Sequence, residues 1–143
     1  MGNYAKLIIE SKTENLGLAR VTAASFAAQL DFTVSEIEEL KVAISEAVSN
    51  AIIHGYKEDN KEIDMYMEIK HNQLVIIVED EGVGIEEPDK AFKASYTTTD
   101  NRMGLGLNFI SSFMDRVELE SELNVGTKIK MIKSPAQMKQ QIN

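Results

Sequence analysis

The sequence predicts a single α/β domain, a two-layer α+β sandwich with helices on one face of a mixed, mostly antiparallel sheet. Three observations predict it. Ile63, Met65, Met67 and Ile69 alternate strictly with Asp64, Tyr66, Glu68 and Lys70, the period of a strand with one wet face. Two longer segments before it carry apolar residues at helical spacing instead. Short connections at His71-Asn72-Gln73 and Asn124-Val125-Gly126 then join strand to strand, which favours antiparallel neighbours.

Residues 4–10 read as the first strand. Over 14–30, Ala19, Ala23, Phe26, Ala27 and Leu30 mark the buried stripe of a helix that Asp31-Phe32 breaks. Thr33 or Ser35 caps a second helix, with Glu36 or Glu38 three residues further on. Its apolar face is Ile37, Leu40, Ile44, Ala47, Val48 and Ala51, and it stops near His54-Gly55. Strand 63–70 and strand 74–79 form a hairpin. Pro88 opens a short element reaching about Lys93, and the Thr- and Asp-rich stretch 95–103 reads as a mobile loop. A third helix follows over 104–114, and a last hairpin pairs 117–123 with 127–132. The domain is taken as 1–133, with 134–143 as a polar tail.

Composition narrows the function. At 143 residues and 43% hydrophobic, the chain buries a real core without disulfides or structural metal. It has no cysteine, and His54 and His71 alone are too few for a zinc site. Thiol catalysis is excluded for the same reason. The longest purely apolar run, 74–78, falls far short of the ~20 residues that span a bilayer. No signal-peptide core opens the chain, so a cytoplasmic location is expected. With 15 Lys and Arg against 23 Asp and Glu, the net charge of −8 disfavours direct DNA binding. It suits a basic protein partner, although solubility alone explains acidity about as often.

Several residues invite a nucleotide reading. Gly82-Val83-Gly84 and Gly104-Leu105-Gly106 are not dinucleotide fingerprints, because Glu87 and Phe109 stand where the third glycine belongs. The common Gly-Lys-Ser/Thr phosphate loop is also missing. Asp80 closes an apolar strand beside freely bending backbone, where its carboxylate can accept from an adenine amino group. Glu46 and Asn50 are four apart and so share a helix face; an amide oxygen suits Mg²⁺ and a carboxylate can take a proton. A helix opening at Gly104 aims free N–H groups at a phosphate, with Arg102 just before it. Taken singly, each has a plainer reading as a turn acid, a solvent-facing helix residue or an exposed loop charge.

In order, however, four segments resemble the ATP-binding motifs of the GHKL superfamily and its Bergerat fold. They are Glu46-Ala47-Val48-Ser49-Asn50 through His54-Gly55-Tyr56, Asp80-Glu81-Gly82-Val83-Gly84-Ile85, Gly104-Leu105-Gly106 and Gly126-Thr127. Nearly the whole chain to about Lys133, including Ala19-Arg20-Val21-Thr22-Ala23-Ala24 and Ala28-Gln29-Leu30-Asp31, resembles the anti-sigma F factor family of spore-forming bacteria.

The resemblance implies a serine protein kinase that uses ATP and Mg²⁺ and inhibits sigma factor F. It implies that Glu46 is the general base and that Asn50 holds the metal. Asp80 binds the adenine amino group with help from Thr127 through water, and Gly82 and Gly84 shape the pocket floor. Residues 95–103, including Thr98, form a lid; Gly104, Leu105 and Gly106 contact phosphates, and Arg102 contacts the terminal phosphate and partners. Arg20 belongs to the face shared by the sigma factor and the anti-anti-sigma antagonist, whose serine is phosphorylated. The implied assembly is a homodimer, switched between ATP and ADP forms. The rival readings are a general-stress anti-sigma kinase, a non-catalytic ATP-binding module and a detached histidine-kinase ATPase domain. Against the last, the chain begins at its first strand, leaving no room for a dimerisation helix.

Overall fold

The computed structural model describes residues 2–52, 61–81, 101–122 and 125–136, with the backbone alone for 101–106. The first strand, β1, is Asn3–Glu10. A 3-10 turn at Thr13–Asn15 leads into helix α1, Leu16–Ala27, and helix α2 is Val34–Asn50. Strands β2, Glu62–Lys70, and β3, Gln73–Asp80, follow. Helix α3 is Asn101–Phe113, and strands β4, Arg116–Glu122, and β5, Gly126–Lys133, end the described body.

The five strands lie in the order β1-β2-β3-β5-β4, and all four pairings are antiparallel. The sandwich is as expected, but the parallel component of a mixed sheet is absent among the described strands. Two hairpins account for half of the pairings, and α3 with β4 carries the chain round so that β5 enters between β3 and β4 running against both.

One sheet face is buried and one is wet. Ile63, Met65, Met67, Ile69, Leu74, Ile76 and Val78 alternate into the core, where they meet Ala19, Ala23 and Phe26 of α1. Leu40, Ile44, Ala47 and Val48 of α2 and Leu107 and Ile110 of α3 complete it. Each of the larger side chains contributes about 1.5–3 kcal/mol by leaving water, and each alanine methyl roughly 0.8 kcal/mol.

Local chemistry sets the element ends. Helix α1 starts after the 3-10 turn and stops at Ala27, short of the expected Leu30, because Gln29 and Leu30 donate to the carbonyls of Phe26 and Ala27 in tightened turns. Thr33, not Ser35, caps α2: Glu36 N–H donates to Thr33 Oγ1 at 3.1 Å while Thr33 N–H donates to Glu36 Oε1 at 2.8 Å. Such caps are worth about 1 kcal/mol. The expected stop at His54-Gly55 and the element from Pro88 to Lys93 lie outside the described residues.

The β2–β3 connection is a two-residue turn, with Lys70 paired to Gln73 and positive φ at His71 (54°) and Asn72 (63°). That is the primed turn whose twist matches antiparallel strands, and Asn tolerates it better than His. A β-branched side chain tolerates it least. His71→Val is therefore expected to lower stability by about 1–2 kcal/mol, whereas His71→Asn should not lower it; urea unfolding midpoints check both.

The end of β5 is fastened to the helical layer. Buried Lys133 donates from Nζ to the Phe113 carbonyl, placing a cation on the C-terminal end of α3. Ser134 N–H donates to Asp115 Oδ2 at 2.8 Å, and Ala136 N–H donates to Glu36 Oε2 at 3.0 Å. The chain thus stays on the body as far as Ala136.

Candidate functional site

Strand register assembles the first part of the site. Ile9 pairs with Ile63, Ile63 with Asp80, Asp80 with Thr127, and Thr127 with Ser121. Directly opposed residues share a face, so these five form one row across the whole sheet on its core side. The row changes character halfway: Ile9 and Ile63 are buried hydrophobes, whereas Asp80, Thr127 and Ser121 are polar. Asp80 is only 7% exposed, and a carboxylate held that far out of water is retained only with hydrogen-bonding partners.

Gly126 allows the close approach on which this arrangement depends. Its φ is +150°, and a Cβ built there would lie 2.1 Å from the Asp80 carbonyl oxygen. The residue therefore belongs to β5 and not to the preceding turn. This corrects the register expected for the last hairpin: Glu122 pairs with Gly126 and Ser121 with Thr127, two residues away from the pairing of 123 with 127. Two is an even number, so the faces stay right while the partners change.

The hydroxyls interlock. Ser121 Oγ donates to the Gly126 carbonyl at 3.0 Å and lies 2.9 Å from Thr127 Oγ1. A depression of about 720 Å³ at this end of the sheet is lined by Asp80, Ser121, Gly126 and Thr127. It also takes in Glu79, Glu120 and Lys128 of the opposite face, so it wraps the sheet end rather than outlining a single ligand.

The second part of the site lies on α2. Glu46 is half-buried, and Asn50, one turn later on the same face, is 6% exposed. Among the described residues the buried Asn50 Nδ2 has no hydrogen-bond partner. Leaving such a group unsatisfied costs about 1–3 kcal/mol, so its environment calls for a ligand or another polar group. The amide can turn over and present its oxygen to a cation instead. The donor set therefore fits a Mg²⁺ ion completed by phosphate and water oxygens.

Other expected residues fall elsewhere. Gly82, Gly84 and Thr98 lie outside the described residues. Helix α3 already includes Asn101, three residues before Gly104, so Arg102 is helical and not in a preceding loop, as are positions 101–103 of the expected lid. Gly104, Leu105 and Gly106 sit within the helix backbone. Arg20 lies on α1, its Nε buried without a partner among the described residues, between Leu18 (52% exposed) and Val21 (63% exposed). Ser121 is the functional candidate that sequence reasoning missed; only the register of the last hairpin points to it.

Fold and site together define a histidine kinase-like ATPase domain, and that family's profile matches residues 9–133. Such a domain implies ATP as ligand. The fold also matches the RsbU and RsbW domains of a Mycobacterium tuberculosis protein, with a TM-score of 0.65 at 16% identity over 92% of this chain and 32% of that one. A blue-light activated histidine kinase of Erythrobacter litoralis matches with a TM-score of 0.62 at 18% identity, over 87% of this chain and 43% of that one. More particularly, the chain belongs to the anti-sigma F factor family. It is 46% identical to the anti-sigma F factor of Clostridium acetobutylicum, over 92% of this chain and 93% of that protein. With the anti-sigma F factor of Clostridium perfringens it shares 43% identity, over 93% of this chain and 97% of the relative. Among the described residues no helix is long and apolar enough to cross a membrane.

Proposed function

We propose that this protein is an anti-sigma factor that sequesters the sporulation sigma factor F and, with ATP and Mg²⁺, phosphorylates a serine on the anti-anti-sigma antagonist. The observation that carries this reading is the buried Asn50 Nδ2, without a partner among the described residues, one turn beyond Glu46 in a chain that matches anti-sigma F factors nearly end to end. Incubating the purified protein with labelled ATP, Mg²⁺ and the antagonist tests it; phosphoserine on the antagonist is expected, and none would remove the kinase assignment.

In this reading Asp80 and Thr127 hold the base, the segment of α3 from Arg102 to Gly106 faces the phosphates, and Asn50 holds the cation. The cation, when bound, offsets phosphate charge. Glu46 accepts the hydroxyl proton of the substrate serine as its oxygen bonds to the terminal phosphorus. The bond from that phosphorus to the bridging oxygen breaks, and ADP departs with the electron pair. Much of the work is positioning, which a rigid sheet end and a capped helix can supply. Asn50→Ala should weaken ATP binding in Mg²⁺ by about tenfold and change it little in EDTA, as calorimetry would show. Equal loss in both would argue against metal ligation.

The partner face in this reading is α1 around Arg20, flanked by exposed Leu18 and Val21. Arg20→Glu is expected to release the sigma factor in a pull-down while ATP affinity holds; retained sigma factor would move the face elsewhere. The assembly is a homodimer in the same reading, which light scattering on the free protein would check.

A further inference from the structure

Proton bookkeeping in the last hairpin fixes a polarity. A serine hydroxyl has one proton, and a carbonyl can only accept, so the bond from Ser121 Oγ to the Gly126 carbonyl at 3.0 Å uses the Ser121 proton. Across the 2.9 Å contact between the two hydroxyls, Ser121 must then be the acceptor and Thr127 the donor. The Thr127 hydroxyl has spent its single proton as well. What it offers to the pocket is lone pairs only.

Beside it in the same cross-strand row stands Asp80, and a carboxylate in its ionised form also only accepts. The polar end of the row is a pair of acceptors with no donor on either side chain. It matches a ring edge carrying an amino group and opposes one carrying a carbonyl, because two facing acceptors leave buried lone pairs unsatisfied. We infer that Ser121 is a positioning residue that fixes the Thr127 hydroxyl as an acceptor and so selects 6-amino purines over 6-oxo purines at this site. The inference rests on the reading of Asp80 and Thr127 as the base pocket and extends it to a residue that does not touch the ligand. Without the Ser121 hydroxyl, Thr127 Oγ1–H is released to turn toward the pocket and donate. A 6-oxo base then meets a donor in place of a second acceptor.

Valine and threonine have nearly the same shape, both suit a strand, and they differ here in the hydroxyl alone. The test is calorimetric titration of ATP and of GTP into the wild type, Ser121→Val, Ser121→Thr and Asp80→Asn, each checked for an intact thermal transition. Ser121→Val is expected to lower the ratio of ATP to GTP affinity by about tenfold, and Ser121→Thr to restore it. A merely structural role would weaken both nucleotides together and leave the ratio unmoved. An unchanged ratio in Ser121→Val, or an equal loss in Ser121→Thr, overturns the inference while leaving the pocket in place. Unchanged ATP affinity in Asp80→Asn overturns the pocket itself, and the inference with it.

Discussion

Glu46→Gln is expected to cut phosphoryl transfer to the antagonist by about 10²–10⁴-fold while ATP affinity holds. The amide keeps the size and shape of the carboxyl but cannot accept the serine proton. Glu46 sits on the half-buried face of a 17-residue helix whose start is fixed by a capping box, so the change would remove the proposed base without removing the scaffold. Single-turnover transfer and ATP titration, run on the same preparation, separate the two effects. Near wild-type transfer would take the base role away from Glu46. Loss of ATP affinity in parallel would make it a binding group instead.

The largest effect on stability is expected from Gly126→Ala. The new Cβ would meet three backbone atoms: the Asp80 carbonyl oxygen at 2.1 Å, Glu81 Cα at 2.9 Å and the Asp80 carbonyl carbon at 3.1 Å. None of these is the movable end of a side chain, and the φ of +150° is strained for alanine besides. Overpacking and backbone strain each cost about 1–3 kcal/mol, so a combined loss on the order of 3 kcal/mol is expected in urea unfolding. Because relief requires β5 to back away from the end of β3, ATP affinity should fall in whatever fraction stays folded. A midpoint within the error of the wild type would show that the two strands are less tightly apposed than described.

Much of this fold is legible in the sequence, for reasons that can be named. Strict alternation from Ile63 to Lys70 leaves no other period to fit, and Thr33 with Glu36 matches a reciprocal cap. Misread elements share a cause. Asn101 and Arg102 are polar and follow a Thr run, which reads as loop, yet polar residues are also common near helix starts, and both are helical in α3. Gly126 after Asn124-Val125 reads as the third residue of a turn, but what places it in the strand is a contact with Asp80, 46 residues earlier in the chain. No local window contains that contact.

The site divides the same way. Position and helical spacing already single out Asp80, Glu46 and Asn50, whereas Thr127 becomes a candidate only through the motif resemblance. That Asp80 and Thr127 are opposite each other, and that Ser121 stands behind Thr127, are facts of strand pairing. The burial of Asn50 is likewise tertiary: the helix pattern puts it beside the apolar stripe, while the lack of a partner for its Nδ2 among the described residues emerges only when the layers are packed.

The row from Ile9 to Ser121 also ties affinity to alignment. Asp80 and Thr127 face one another only when β3 and β5 are in their native register, and a slip of one residue would turn Thr127 to the wet face. A ligand that grips both therefore binds aligned strands and no others. By mass action it must then stabilise that alignment, by about 2.7 kcal/mol at a ligand concentration a hundred times its Kd. Where ATP is abundant, a nucleotide held in this way would thus act as a fold-specific clamp on the sheet, and a chain emptied of it would be the first to lose the β3–β5 pairing.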